Sequence, residues 1–512
     1  MNQFIGCLIV MAVLTPGLKV NAQSNTQTRP NIILFLVDDM GWQDTSVPFW
    51  DSITSLNKRF HTPNMERLAR EGMKFTSAYA APLCTATRVS LMTGMNVAHH
   101  RVSNYTQITV NMDADLKDSI FDPVPWNKNG FNPLGSDIPF TVHATALPQL
   151  LKDAGYFTIH VGKAHWGPIG TPASNPHNLG FTVNIGGHGA GHPQSYLGTK
   201  NFGNAPHETT YYAVPDLEEY YGSDVFLTEA LTRQALRALD QPVSNKQPFF
   251  LNLAHYAVHT PIQADQRYFE KYLKMGVDTI EARYASLVEG MDKSLGDIMD
   301  YLKEKNIEKN TIVIFMSDNG GYSLRSKPIH THNLPLRAGK GSLYEGGIRE
   351  PMIVKWPGVT KPGSKAGQYI MVEDFFPTIL QLAGVRNPRT IQHPDGVSFV
   401  PILKNSATAD SSRIMVWHFP NKWLTQDGPA INYASAIRQG RWKLIYKMRN
   451  GTFELYDIRK DIREEHNISG EFPSKVTELA QLLTEKLKKW DAVMPVYTQT
   501  GKAVQWPDQM IK

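Results

Sequence analysis

Cysteine is scarce in this chain, with 2 among 512 residues, Cys7 and Cys84. At most one internal disulfide could form, so a scaffold stapled by disulfides is excluded. An excess of one charge is also missing. Lys+Arg number 52 against Asp+Glu 47, a formal net charge of +5. There is no basic run or basic helix of the kind that follows a nucleic-acid backbone, so nucleic acid is not an expected partner. Internal repeats and low-complexity tracts are absent. With 41% hydrophobic residues the chain can bury a large core, and disorder is not indicated.

Long apolar runs are nearly absent too. Residues 4–18 form one, too short and too broken by Pro16 and Gly17 to span a membrane, and Val20-Asn21-Ala22 follows as a small-residue cleavage site. Residues 1–22 are therefore read as a signal peptide, although Lys19 lies after the apolar run instead of before it. The exported chain should be periplasmic or secreted, without a membrane anchor. Cys7 sits inside the apolar run and not at the cleavage point, which argues against a lipoprotein. Export leaves Cys84 as a lone thiol in an oxidising compartment. It is either a buried structural residue or one with a chemical use.

What is present is a set of apolar segments that each stop at ionisable residues. Residues 31–37 (NIILFLV) lead into Asp38-Asp39, and 311–316 (TIVIFM) into Ser317-Asp318-Asn319-Gly320. Residues 156–161 lead into Gly162-Lys163-Ala164-His165, and 249–254 into His255 and His259. Continuous apolar runs of this length suit parallel strands buried on both faces. Helical patterns at 63–71, 145–154 and 281–303 alternate with them, as a doubly wound α/β sheet requires. In such sheets ligands bind beyond the carboxyl ends of the strands, so the four clusters should meet on one rim. The tail differs. Residues 435–447 and 452–458 read as antiparallel strands around a Gly turn at 450–451, followed by a helix that starts at Pro473 and carries Val476, Leu479, Leu483, Leu487 and Trp490 on one face. The expected organisation is a catalytic α/β domain over 23–400 and a small antiparallel-sheet-plus-helix unit over 401–512.

Cys84 opens the stretch CTATRVSLMTG (84–94), placed at a helix start, where free N–H groups suit an anion. A Cys-x-x-x-Arg spacing alone is weak. This stretch, however, resembles the Cys-x-(Pro/Ala)-x-Arg signature, with its trailing Leu-x-Thr-Gly, of type I sulfatases. It departs from the commonest form at Ala86 and Thr87. The resemblance runs along nearly the whole exported chain and implies an alkaline-phosphatase-like fold with a large, mostly parallel sheet. It further implies that a maturation enzyme oxidises Cys84 to formylglycine (3-oxoalanine). The hydrated aldehyde then attacks sulfur with one hydroxyl and expels sulfate through the other. Asp38, Asp39, Asp318 and Asn319, with the modified Cys84 beside them, resemble the family's Ca²⁺ site, and hard oxygen ligands suit Ca²⁺ or Mg²⁺ and not zinc. By the same resemblance Lys163 and Lys340 grip sulfate, His165 is the base, His259 protonates the leaving alcohol, and Arg88 braces the centre. Taken singly, each of these residues would pass for a cap, a turn or a solvated surface group.

Two long segments, 104–143 and 171–215, read as neither helix nor strand and should shape the substrate pocket. The second carries His177, His188, His192 and His207. His188-x-x-x-His192 lies in GGHGAGHP, which cannot be a helix presenting two rings to zinc. His177, shortly after the Gly-Lys-x-His element, is the first candidate for reading a sugar hydroxyl. Asn104-Tyr105-Thr106 is a formal glycosylation acceptor. The expected substrate is a terminal sulfated hexose of a host glycan, cleaved in exo fashion, with sulfated galactose of mucin-type O-glycans ahead of sulfated hexosamine. The alternatives are a phosphodiesterase or phosphonate hydrolase of the same superfamily, a sugar-binding pseudoenzyme with unconverted Cys84, and an extracellular calcium-binding structural protein.

Overall fold

The computed structural model describes residues 29–204, 210–323, 329–408 and 412–511; the expected signal segment 1–22 and His207 lie outside them. The central sheet has nine strands: β1 (Asn31–Val37), β2 (Met73–Tyr79), β3 (Phe157–Gly162), β4 (Val183–Ile185), β5 (Phe249–Ala254), β6 (Thr311–Ser317), β7 (Arg349–Lys355), β8 (Ser364–Ala366) and β9 (Ile370–Met371). Their order is β8-β2-β7-β6-β1-β5-β3-β4, with β9 also on β2. Only β7 runs against its neighbours, pairing antiparallel with β6 and β2. Every residue of β1, β5 and β6 is buried, which is why these strands read as unbroken apolar runs instead of alternating ones.

Helices cover both faces. Ile33, Phe35 and Val37 of β1 pack with α1 (Pro63–Glu71), α4 (Leu227–Ser244) and α5 (Thr279–Glu304). The alternate residues Ile32, Leu34 and Leu36 pack with α2 (Cys84–Thr93), α3 (Leu147–Asp153) and α6 (Phe375–Leu382). The period of two along a strand thus divides the core into two layers.

A second sheet has the order β10 (Ile414–Phe419), β11 (Ala434–Gln439), β12 (Trp442–Lys447), β13 (Thr452–Asp457), antiparallel throughout. Its first strand is absent from the sequence reading. On one face, Val476, Leu479, Leu483 and Leu487 of α7 (Pro473–Lys489) pack with Ile437, Leu444 and Leu455. The other face meets the central domain across a buried ionic seam. Lys443 lies 3.0 Å from Glu345 and 2.9 Å from Glu464, all three fully buried, and Arg438 and Arg349 also reach Glu345. Among the described residues no helix is long and apolar enough to cross a membrane.

Candidate active site

Strand register brings the site together. Val37 pairs with Ser317, so Asp38-Asp39 and Asp318-Asn319 leave adjacent strands at the same level. Gly162 pairs with Ala254, and the Lys163 N–H donates to the Ala254 carbonyl at 2.7 Å. Beyond β5 the chain folds back, the Val258 N–H donating to Asp38 O at 2.7 Å, and this delivers His259. α2 follows β2 directly. Because β7 is reversed, its amino end lies at the carboxyl rim of the others, so the segment before it carries Lys340 to the same place, its N–H donating to Gly321 O at 3.1 Å.

Three buried carboxylates meet three buried cations there. Lys163 Nζ lies 2.6 Å from Asp38 Oδ2 and Lys340 Nζ 2.5 Å from Asp39 Oδ1. Arg88 places Nε 2.9 Å and Nη2 2.8 Å from Asp318 Oδ2, while Nη1 donates to the Lys163 carbonyl at 2.7 Å. Burial and the neighbouring Asp318 charge push the Asp38 carboxyl well up. Burial would raise Asp39 as well, but Lys340, His259 and Lys163 hold it below the usual carboxylate range. Asp39 and His165 both adopt left-handed backbone, at φ 62° and 54°, a strained conformation for residues other than glycine and one that concentrates at functional sites.

Three buried oxygens have no hydrogen-bond partner: Asp38 Oδ1, Asp39 Oδ2 and Asn319 Oδ1. Unpaired buried acceptors are costly. Here they come from three residues at one rim, and one ligand atom each from Asp38, Asp39 and His259 lie within 4.8 Å of one another. Orphaned hard oxygens beside a crowd of carboxylates fit a divalent cation of the Ca²⁺ type.

Cys84 is the first residue of α2, and its N-cap Leu83 offers no side-chain cap. Its Sγ is 3.5 Å from His165 Nδ1. His165 Nε2 lies 3.0 Å from the Thr106 carbonyl; a carbonyl only accepts, so Nε2 carries the proton and Nδ1 offers its lone pair towards Cys84. Burial and Lys163 keep this imidazole neutral, with its pKa well below the ordinary value. His259 has the opposite tautomer. Its Nδ1 faces the Thr260 carbonyl at 3.0 Å and its Nε2 is 3.5 Å from Asp39 Oδ2; burial also lowers its pKa well below the ordinary value, although Asp39 opposes the shift.

Cys84, His165, His259 and Lys340 line one cavity of about 290 Å³, walled by Tyr105, Ile108, His192, Tyr212, Tyr322 and Trp423. Its volume is at the small end of the roughly 300–1,000 Å³ usual for ligand pockets. A Cβ on Gly191 would lie 2.6 Å from His165 Cε1, so only glycine lets the 171–215 loop come this close.

The structure thus brings together Asp38, Asp39, Cys84, Arg88, Lys163, His165, His259, Asp318, Asn319 and Lys340. It does not bring His177. That residue lies in the short turn Pro176–Leu179, exposed, with Nδ1 3.1 Å from the Phe181 carbonyl, and it is not part of the cavity wall. Nearby, Thr158 bonds Gly180 and Thr182 at the amino end of β3, the end away from the site. The histidine of this loop that does reach the cavity is His192. Asn104 is fully buried and bonds Asp115 at 2.7 Å, so the formal glycosylation acceptor is closed in the folded chain. Sequence reasoning also missed Tyr212, Tyr322 and Trp423, rings in irregular segments that carry no periodic signal.

Fold and site together define an α/β enzyme that hydrolyses anionic esters at the rim of its sheet. A family pattern described as sulfatase matches residues 30–385, and one described as N-sulphoglucosamine sulphohydrolase, C-terminal, matches 339–492. A sulfatase of Formosa agariphila is 29% identical over 98% of this chain and 96% of its own length. The N-acetylgalactosamine-6-sulfatase of Mus musculus is 31% identical over 74% of this chain and 67% of its own. The crystal structure of Ps i-CgsB superposes with a TM-score of 0.70 at 27% identity, covering 94% of each chain; the same protein is also solved in complex with k-i-k-neocarrahexaose. The chain belongs to the sulfatase family and is a sulfuric ester hydrolase of type I.

Proposed function

We propose that this chain is an exported, exo-acting carbohydrate sulfatase whose nucleophile is formylglycine made from Cys84 and whose metal is Ca²⁺ held by Asp38, Asp39, Asp318 and Asn319. The single observation that carries this reading is Cys84 at the start of α2, its Sγ 3.5 Å from the lone-pair nitrogen of His165, in the cavity that Lys340 also lines. A hydrated aldehyde there supplies two hydroxyls on one carbon, one to attack sulfur and one to expel sulfate afterwards. Ca²⁺, when bound, supplies positive charge that favours the ionised nucleophile and screens the ester oxygens.

The chain's own residues do the rest. His165 Nδ1 accepts the hydroxyl proton, its tautomer fixed by the Thr106 carbonyl. Lys163 and Lys340 present ammonium groups to the sulfate oxygens, and Arg88 ties Asp318 to the Lys163 backbone. His259 faces the leaving oxygen. A buried, neutral imidazole has no proton on Nε2 to give, so this residue acts as the acid once a sulfate anion beside it favours its protonated form. Catalysis is assigned to 23–400, and 401–512 closes one wall of the cavity through Trp423.

For substrate we put sulfated galactose of mucin-type O-glycans first, since a small cavity walled by aromatic rings suits one terminal sugar. Sulfated hexosamine is the second reading, favoured by relatives named N-acetylgalactosamine-6-sulfatase. The test pairs mass analysis of the Cys84 peptide with assays of mono-sulfated sugars and matched phosphate esters. An aldehyde at Cys84, turnover of a sulfated sugar and loss of repeated turnover in Cys84→Ser are expected. Full activity with a free thiol at Cys84, or a preference for the phosphate esters, overturns the reading.

A further inference from the structure

His192 repeats the geometry of the residue that faces the leaving group. Its ring lies parallel to that of His259, at 8° with centroids 5.8 Å apart, and stacks on that of Tyr212, at 9° and 4.2 Å. The tautomers match as well. His192 Nδ1 is 3.1 Å from the Pro193 carbonyl, just as His259 Nδ1 is 3.0 Å from the Thr260 carbonyl, so in both rings Nδ1 carries the proton. His192 Nε2 is then an acceptor only. It has no partner among the described residues, and the residue lines the cavity. Burial lowers its pKa from the ordinary value, which keeps the ring neutral.

We propose that His192 is the specificity residue of this site: its Nε2 accepts a hydrogen bond from a free hydroxyl of the sugar, one or two ring carbons from the sulfated position. The proposal rests on the carbohydrate sulfatase reading above and adds the recognition step to it. Two parallel rings 5.8 Å apart engage two oxygens of one small ring at once. His259 takes the ester oxygen that will leave and His192 takes a neighbouring hydroxyl. An acceptor-only nitrogen demands a donor, so an O-methyl or deoxy sugar at that position leaves it unpaired, and an epimer moves the hydroxyl out of its plane. Tyr212 fixes the ring through stacking, which makes the reading a geometric one.

The rival role is simple packing, with His192 serving only to hold His259 upright. His192→Phe separates the two, because phenylalanine keeps an aromatic ring beside Tyr212 and His259 and removes the acceptor. We measure kcat/KM for the preferred sulfated sugar and for analogues deoxygenated at each remaining hydroxyl in turn. The wild type should prefer the parent over one particular deoxy analogue by about tenfold or more. In His192→Phe that ratio should collapse towards one, chiefly through loss on the parent sugar. His192→Gln, which restores an acceptor without the ring, should recover part of the ratio and guards against a folding defect in the first variant. The inference is overturned if His192→Phe keeps wild-type kcat/KM on the parent, or lowers parent and deoxy sugars equally. A wild-type enzyme that hydrolyses phosphate esters and no sulfated sugar overturns the functional reading beneath it, a different result from either of these.

Discussion

At the scale of single residues, Arg88 shows how little slack the site has. One guanidinium serves a carboxylate and a backbone carbonyl on two different strand ends, and it is almost wholly buried. A lysine keeps the charge but not the fork. Arg88→Lys should lower kcat about tenfold or more and cost roughly 1–3 kcal/mol of stability through the unsatisfied carbonyl and carboxylate; urea unfolding beside steady-state kinetics checks both. Asp38, Asp39, Lys163, His165, Asp318 and Asn319 were legible from sequence because they follow strand ends, where an apolar run stops at a charge. Cys84 and Arg88 on α2 and Lys340 before β7 were reached only through the resemblance to sulfatases. The pocket wall was not legible. His177 and His192 look alike in a loop without period, and what separates them is a short turn at Pro176–Leu179 that folds one ring back on its own backbone, while Gly191 lets the loop approach His165 and the ring after it lies parallel to that of His259.

At the scale of elements, the strands of the central sheet were legible because burial on both faces leaves no alternation to confuse with a helix. β4 escaped because it is three half-buried residues at the sheet edge; β10 was missed although the turn-forming stretch 405–412 precedes it and Pro420-Asn421 follows it. Burial at the junction of these elements has a measurable cost. Glu373, in the turn that packs on α2, is buried and bonded by Asn96 at 2.8 Å; burial and the Asp374 charge push its pKa up from 4.5 to about 8. The folded chain therefore keeps this proton where the unfolded chain gives it up. The contribution to stability is whole below pH 4.5 and is lost as pH rises to about 8. Glu373→Gln, which still accepts from Asn96, should melt progressively higher than the wild type as pH rises from about 5 to 8. Equal melting shifts at both ends of that window contradict it.

At the scale of the molecule, the proposed metal ligands come from β1 and β6, nearly three hundred positions apart in sequence yet side by side in the sheet. An ion that binds only the folded arrangement stabilises it by mass action, by about 2.7 kcal/mol at a hundred times its dissociation constant. EGTA should lower Tm and activity together and excess Ca²⁺ should restore both, while Asp318→Ala should be inactive and indifferent to either. A melting curve that ignores the chelator while activity persists removes calcium from the account.

The reversal of β7 has a consequence for how this protein can be altered. The segment before it carries Lys340 to the cavity and, five residues on, sends Glu345 into the seam with Lys443 and Glu464. The cavity lysine and the clasp are beads on one short string. A chain ending near residue 400 would take Lys443 and Arg438 away from Glu345, leaving it Arg349 alone, and would open the wall that Trp423 supplies. The portion that can be exchanged between relatives therefore starts upstream of the second sheet, close to Gly339, where the C-terminal family pattern also begins. Grafting the tail without that string would leave Lys443 with Glu464 as its buried carboxylate and without Glu345.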